Sequence, residues 1–124
     1  MREIKFRAWL SAGSDTSDGC FFSPDIVVVG PDYAICDGDE YPLTGEPGNC
    51  VTLEQFTGER DKNGNEIYEG DIFNLGDLKI KYVVEWIDCG FQGRQINNKS
   101  TVGLDYWKEK IKVIGNIHKN PELL

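Results

Sequence analysis

The ten residues from Leu78 to Ile87 constrain this chain more than any others. Leu78, Ile80, Tyr82, Val84 and Trp86 fall at every second position, and Lys79, Lys81 and Glu85 stand between them. A period of two puts those five side chains on one face of an extended strand, with the core on that side and water on the other. No stretch of the chain carries a helical apolar period beyond one or two turns. The fold must therefore be built from strands whose hydrophobic faces close on one another.

Shorter runs repeat the pattern. Ile4, Phe6 and Ala8 alternate with Glu3, Lys5 and Arg7, which predicts an opening strand with one buried face. Residues 11–19 are Ser, Gly, Asp and Thr with few apolar positions, and read as a loop. Residues 26–29 and 33–36 flank Gly30-Pro31-Asp32 and predict a pair of short strands, and 37–49 reads as a second long loop. Asn63-Gly64 supplies the positive φ of a tight turn. Ile72–Leu75, Phe91–Ile96, Thr101–Leu104 and Ile111–Ile117 complete the strands. Asp105–Lys110 reads as a helical turn or a connecting loop, and Asn120-Pro121 as the start of a terminal turn. Five to eight short strands separated by Gly-rich turns predict a mainly β fold, a small bent barrel or sandwich.

The chain has 124 residues, enough to bury a core without disulfides. Its longest unbroken aliphatic run is Ile26–Val29, and the amino terminus lacks the apolar stretch of an export signal. A soluble protein of the cytoplasm is expected. The formal charge of −8 opposes a duplex nucleic acid and an anionic membrane alike, so direct binding to either is not expected. That charge is concentrated: residues 11–50 hold Asp15, Asp18, Asp25, Asp32, Asp37, Asp39, Glu40 and Glu46 and no Lys or Arg. Two readings stay open, a solvated segment kept soluble by its charge and a surface that docks on a basic partner.

Chemistry is thinly represented. Cys20, Cys36, Cys50 and Cys89 form no CxxC pair, so four free thiols are expected rather than a zinc site. His118, the single histidine, reads as an ordinary exposed side chain. Asp61, Asn63, Asn65 and Glu69 offer oxygen ligands, but Gly64 and Ile72 stand where a calcium loop would differ. Phosphate-loop, dinucleotide, hydrolase-elbow and zincin motifs are absent. No catalytic, cofactor or metal residue is therefore named, and a metal-dependent enzyme using loop carboxylates is the weakest alternative. Of the fourteen aromatic residues most are expected to fill the core, Trp86 first among them, and Phe21, Phe22 and Trp107 are those expected exposed.

Four blocks carry a resemblance: MREIKFRAW (1–9), LEQFTGERDKNGNEIYEGDI (53–72), VVEW (83–86) and VIGNIHKNPELL (113–124). In this order they resemble the YopX family of small proteins encoded by bacteriophages and prophages. Residues 10–52 and 87–112 contribute nothing to the match. The resemblance implies a C-terminal SH3-type β-barrel entered at Glu69-Gly70-Asp71, with Ile72, Tyr82, Val84, Trp86, Val113 and Ile117 inside, after a smaller loop-rich β portion. Residues 1–52 and 53–124 are the two parts expected, with one continuous domain as the alternative. It implies no activity, cofactor or catalytic residue.

The expected function is that of a non-enzymatic phage or prophage accessory protein in the bacterial cytoplasm, binding a host or phage protein. A homo-oligomer stays open. The alternative is an acidic nucleic-acid mimic that blocks a host nucleic-acid-binding or defence protein. Phe21, Phe22, Asp37, Asp39, Glu40 and Trp107 are the candidate partner contacts.

Overall fold

The computed structural model describes residues 5–12, 15–22, 26–28, 33–36, 39–43, 50–107 and 109–124; within these, the side chains of 11–20, 22, 26–28, 34 and 36 fall outside the description. The chain divides into two compact units, Ile4–Gln55 and Phe56–Leu124. Both are antiparallel β, which agrees with the mainly β class that the alternation predicts.

In the first unit β1 (Phe6–Ala12) pairs with β2 (Asp15–Phe22) on one side and with the start of β6 (Val51–Arg60) on the other. β3 (Ile26–Val28), β4 (Tyr33–Cys36) and β5 (Asp39–Pro42) make a three-stranded sheet. The β3–β4 pair is the one expected, and its turn lies outside the described residues. Ala8 and Val51 are buried, with Leu10, Tyr41, Leu43 and Leu53 packed against them. Alternation in β1 assigns Arg7 to a wet face, but its side chain is only 11% exposed. Arg7 Nε donates to Glu54 Oε1 at 2.9 Å across the β1–β6 ladder, and the guanidinium lies 4.3 Å from the centre of the Phe21 ring. A buried charge survives only with such a partner.

Two expected loops are partly strands. Asp15–Phe22 pairs with β1 and Asp39–Pro42 pairs with β4, although their residues have low strand propensity. Backbone hydrogen bonds to an adjacent strand override propensity in both cases.

The second unit continues β6 and adds β7 (Glu66–Tyr68), β8 (Asp71–Asn74), β9 (Tyr82–Ile87), β10 (Gly90–Gln95), β11 (Thr101–Gly103), the single helical turn α1 (Leu104–Trp107) and β12 (Lys112–Asn116). A 3₁₀ turn, Pro121–Leu123, follows at the expected place. Five strands lie in the order β11-β10-β9-β8-β12, a meander whose last strand returns beside its first, as in SH3-type folds. The ladder does not close: among the described residues β11 and β12 are the two edges. Ile67, Phe73, Tyr82, Val84, Leu104 and Ile111 form the core, with the Phe73 and Tyr82 rings stacked at 5.2 Å.

Ile72, Tyr82 and Val84 are buried as expected, and Val113 and Ile117 are half-buried. Trp86 is not inside: it is 52% exposed, and Leu78 is 76% exposed. Leu78 precedes the strand, in a turn where the Asp77 carboxylate accepts from the Lys79 N–H at 2.9 Å. Such local bonds compete with a ladder. Trp86 lies on the part of β9 that outruns β8. The β8–β9 pairing covers Tyr82 and Val83 only, whereas β9–β10 pairing continues to Ile87 and Gly90. His118 is half-buried rather than exposed, its backbone N–H donating to Asn116 Oδ1 at 3.0 Å.

Candidate binding cleft

The β9–β10 ribbon ends in a two-residue loop, Asp88-Cys89, closed by the Ile87–Gly90 pair. Both loop residues have positive φ, +50° and +68°, the signature of a type I′ turn made without glycine. Trp86 and Phe91 face each other just before and after this turn, ring centres 4.8 Å apart and nearly edge-on.

A second wall comes from β6. Between Phe56↔Tyr68 and Arg60↔Glu66 four steps on β6 oppose two on β7, so Thr57-Gly58-Glu59 bulges. Gly58 takes φ +90°, and Thr57 Oγ1 donates to the Ile67 carbonyl at 2.8 Å while accepting from the Glu59 N–H at 3.2 Å. Bulges re-aim side chains, and this one brings Glu59 beside Trp86. Leu104, buried in the core, and Asp105, exposed, close the third side from α1. The result is a cleft of about 170 Å³ lined by Thr57, Glu59, Trp86, Cys89, Gly90, Phe91, Leu104 and Asp105. It holds aromatic rings and two carboxylates and, among the described residues, no Lys or Arg. Chemically it can grip and orient an incoming group; nothing in its lining pairs a nucleophile with a base.

The paired carboxylates elsewhere serve the backbone. The Asp61 carboxylate accepts from the N–H groups of Asn63 and Asn65 (2.9 Å each) and of Val113 (3.0 Å), and from the Asn65 amide (3.3 Å). Burial opposes its ionisation, yet these four bonds prevail and hold Asp61 below the ordinary aspartate range. It ties the β6–β7 turn to β12. Asp71, also buried, accepts from the Tyr68 N–H at 2.8 Å. Cys89 is an exposed free thiol, Cys50 is half-buried, and the side chains of Cys20 and Cys36 lie outside the description. Among the described residues no three His, Cys, Asp or Glu stand together as metal ligands, and no helix is long and apolar enough to cross a membrane.

A family model described as "YopX protein" matches residues 5–124, nearly the whole chain rather than the four blocks alone. The chain belongs to the YopX family. Two solved structures are similar along its full length. Protein EF1440 from Enterococcus faecalis is 25% identical with a TM-score of 0.71, covering 100% of this chain and 99% of that one. The yopX protein from Bacillus subtilis is 19% identical with a TM-score of 0.56, covering 100% and 97%, and shows the same fold. No curated protein matches the chain.

In this YopX-family member the residues singled out from sequence are divided between the two units. Phe21 is half-buried, covered by Arg7 and edge-on to Trp9 at 4.8 Å. Phe22 sits on β2 opposite Ala8, its side chain outside the described set, and Asp37 lies outside the described residues altogether. Asp39 and Glu40 are exposed on β5. Trp107 belongs to the second unit and is half-buried against its core, with Lys110 Nζ 5.6 Å from its ring centre. None of the cleft residues is among the candidate contacts drawn from sequence. Their one sequence signal is Trp86 and Phe91 placed symmetrically about Asp88-Cys89, which puts a large aromatic pair beside a hairpin tip.

Proposed function

We propose that this YopX-family chain is a non-enzymatic protein-binding module, an accessory protein of a phage or prophage acting in the bacterial cytoplasm, and that it takes a segment of a host or phage protein at the cleft beside Trp86. The supporting observation is the exposed Trp86, edge-on to the half-buried Phe91. A tryptophan left half in water, walled by a bulge and a helical turn, is the kind of anchor on which protein interfaces concentrate their energy.

Nucleic-acid mimicry is the second reading, favoured by the exposed Asp39 and Glu40 in the segment that carries the net charge. No observation favours a metal-dependent enzyme.

Affinity capture from a lysogenic or infected bacterium tests the two readings side by side with wild type, Trp86→Ala and the double variant Asp39→Asn/Glu40→Gln. Loss of a wild-type partner in Trp86→Ala alone supports the cleft. Loss in the double variant alone, with a salt-sensitive partner, moves the site to the acidic segment. A partner retained by both variants overturns both readings.

A further inference from the structure

We infer that the cleft is a socket for one cationic side chain, an arginine or lysine projecting from the partner protein. This rests on the protein-binding reading and specifies what the site accepts. Size comes first. At about 170 Å³ the space is close to cavities that hold a single benzene and below the range of cofactor pockets, so it takes one side-chain-sized group.

Charge decides which group. Glu59 lines the cleft together with the Trp86 and Phe91 rings, and among the described residues no Lys or Arg does. An apolar side chain would bury the rings at the cost of desolvating the Glu59 carboxylate; a guanidinium or ammonium meets both demands at once. The rest of the chain shows how its aromatic rings are otherwise treated. Arg7 stands over Phe21, Arg60 over Phe56 and Lys110 over Trp107. Among the described residues Trp86, the most exposed of the tryptophans, has no cation over it. Arg94, from the neighbouring strand, is bound by both its Nε and Nη2 to Glu85, at 2.9 and 2.8 Å. Trp86 thus shares its cleft with the Glu59 carboxylate and, among the described residues, has no cation over its ring.

The test is a titration of the ¹⁵N-labelled full chain with Nα-acetyl-arginine amide and, at matched ionic strength, with Nα-acetyl-norleucine amide. The readout is the Trp86 indole N–H resonance, assigned by its disappearance in Trp86→Phe. The arginine amide should shift it saturably with a dissociation constant on the order of millimolar, and the norleucine amide should bind roughly tenfold more weakly. Glu59→Gln should weaken the arginine amide roughly threefold. In Trp86→Phe, followed through the Cys89 and Gly90 amides, binding should persist but weaken, while in Trp86→Ala it should vanish with the other indole resonances unmoved. Equal binding of the two amides, or no saturation by the arginine amide, overturns the cationic socket. If a partner captured through Trp86 accompanies either failure, the binding module stands and only its cationic specificity falls.

Discussion

Two hairpin turns in the second unit solve the same geometric problem in opposite ways. The β6–β7 turn has glycine where φ is positive, Gly64 at +83°, and the Asp61 carboxylate holds it with four hydrogen bonds. The β9–β10 turn puts Asp88 and Cys89 into the left-handed region with no glycine, and among the described residues no side-chain hydrogen bond holds either of them. Left-handed backbone costs a non-glycine residue roughly 1–2 kcal/mol. Such strain recurs at functional sites, and on the proposed reading the β9–β10 turn keeps it because Cys89 belongs to the cleft wall. The contrast is between a turn held by its own side-chain hydrogen bonds and a turn beside the cleft that has none among the described residues, and substitutions in each can break it.

The largest effect belongs to Asp61. Asp61→Ala removes every acceptor from four donors, one of them the Val113 N–H some fifty residues away in sequence, and should cost about 3 kcal/mol in urea unfolding. A loss below about 0.5 kcal/mol would leave Gly64 as the sole determinant of that turn and weaken the contrast.

Next comes the root of the strained ribbon. A Cβ on Gly93 would run into the ring of Phe73, a fully buried member of the core. Gly93→Ala should therefore cost about 2 kcal/mol. At Gly90, beside the turn, a Cβ meets nothing within 4 Å, so Gly90→Ala should change stability by less than about 0.5 kcal/mol. Similar losses at both positions would mean that the ribbon's tip is as tightly packed as its root, which the exposure of Trp86 argues against.

Acid should read out the Asp61 turn more gently. Its folded pKa lies below the ordinary value of 3.8, so ionised Asp61 contributes stability that is fully present above that value. The contribution is lost as pH falls through the lower, folded value. Asp61→Asn should accordingly trail wild type at neutral pH, and the gap should narrow only once pH drops below about 4. A gap that is constant down to about pH 2 would mean that the bonds to the backbone do not depend on the carboxylate charge.

The same contrast marks how far the sequence could be read. Tyr82 and Val84 were legible because their alternation coincides with a buried face, and Asn63-Gly64 because a tight turn needs that chemistry. Trp86 continues the same alternation and is exposed, since periodicity reports which face a residue takes but not where the neighbouring strand β8 stops. β2 and β5 were illegible for a related reason. Their ladders depend on partners elsewhere in the chain, and Asp15–Phe22 carries no strand pattern of its own. Arg7 looked solvated because its ion-pair partner, Glu54, is set by long-range register. The cleft depends on the first of these, a strand's overrun, together with a bulge and a helical turn that only the tertiary fold brings beside it.

The smallest effect is also the one that tests the contrast most directly. Glycine at position 89 would accept φ +68° without strain and would create Asp-Gly, a favoured type I′ pair. Relief of roughly 1–2 kcal/mol of left-handed strain is offset by the roughly 0.5–1 kcal/mol that glycine loses to a more flexible unfolded chain. Cys89→Gly should therefore stabilise the protein by about 0.5–1 kcal/mol, measured under reducing conditions so that oxidation of the exposed thiol does not intrude. Gly64→Ala, the converse change in the other turn, should destabilise by at least as much, because alanine cannot take φ +83° without strain. Opposite signs at the two turns are the prediction. If Cys89→Gly destabilises instead, the Cys89 side chain contributes packing that outweighs its backbone strain, and the turn is held by contacts in the cleft rather than kept strained at its rim.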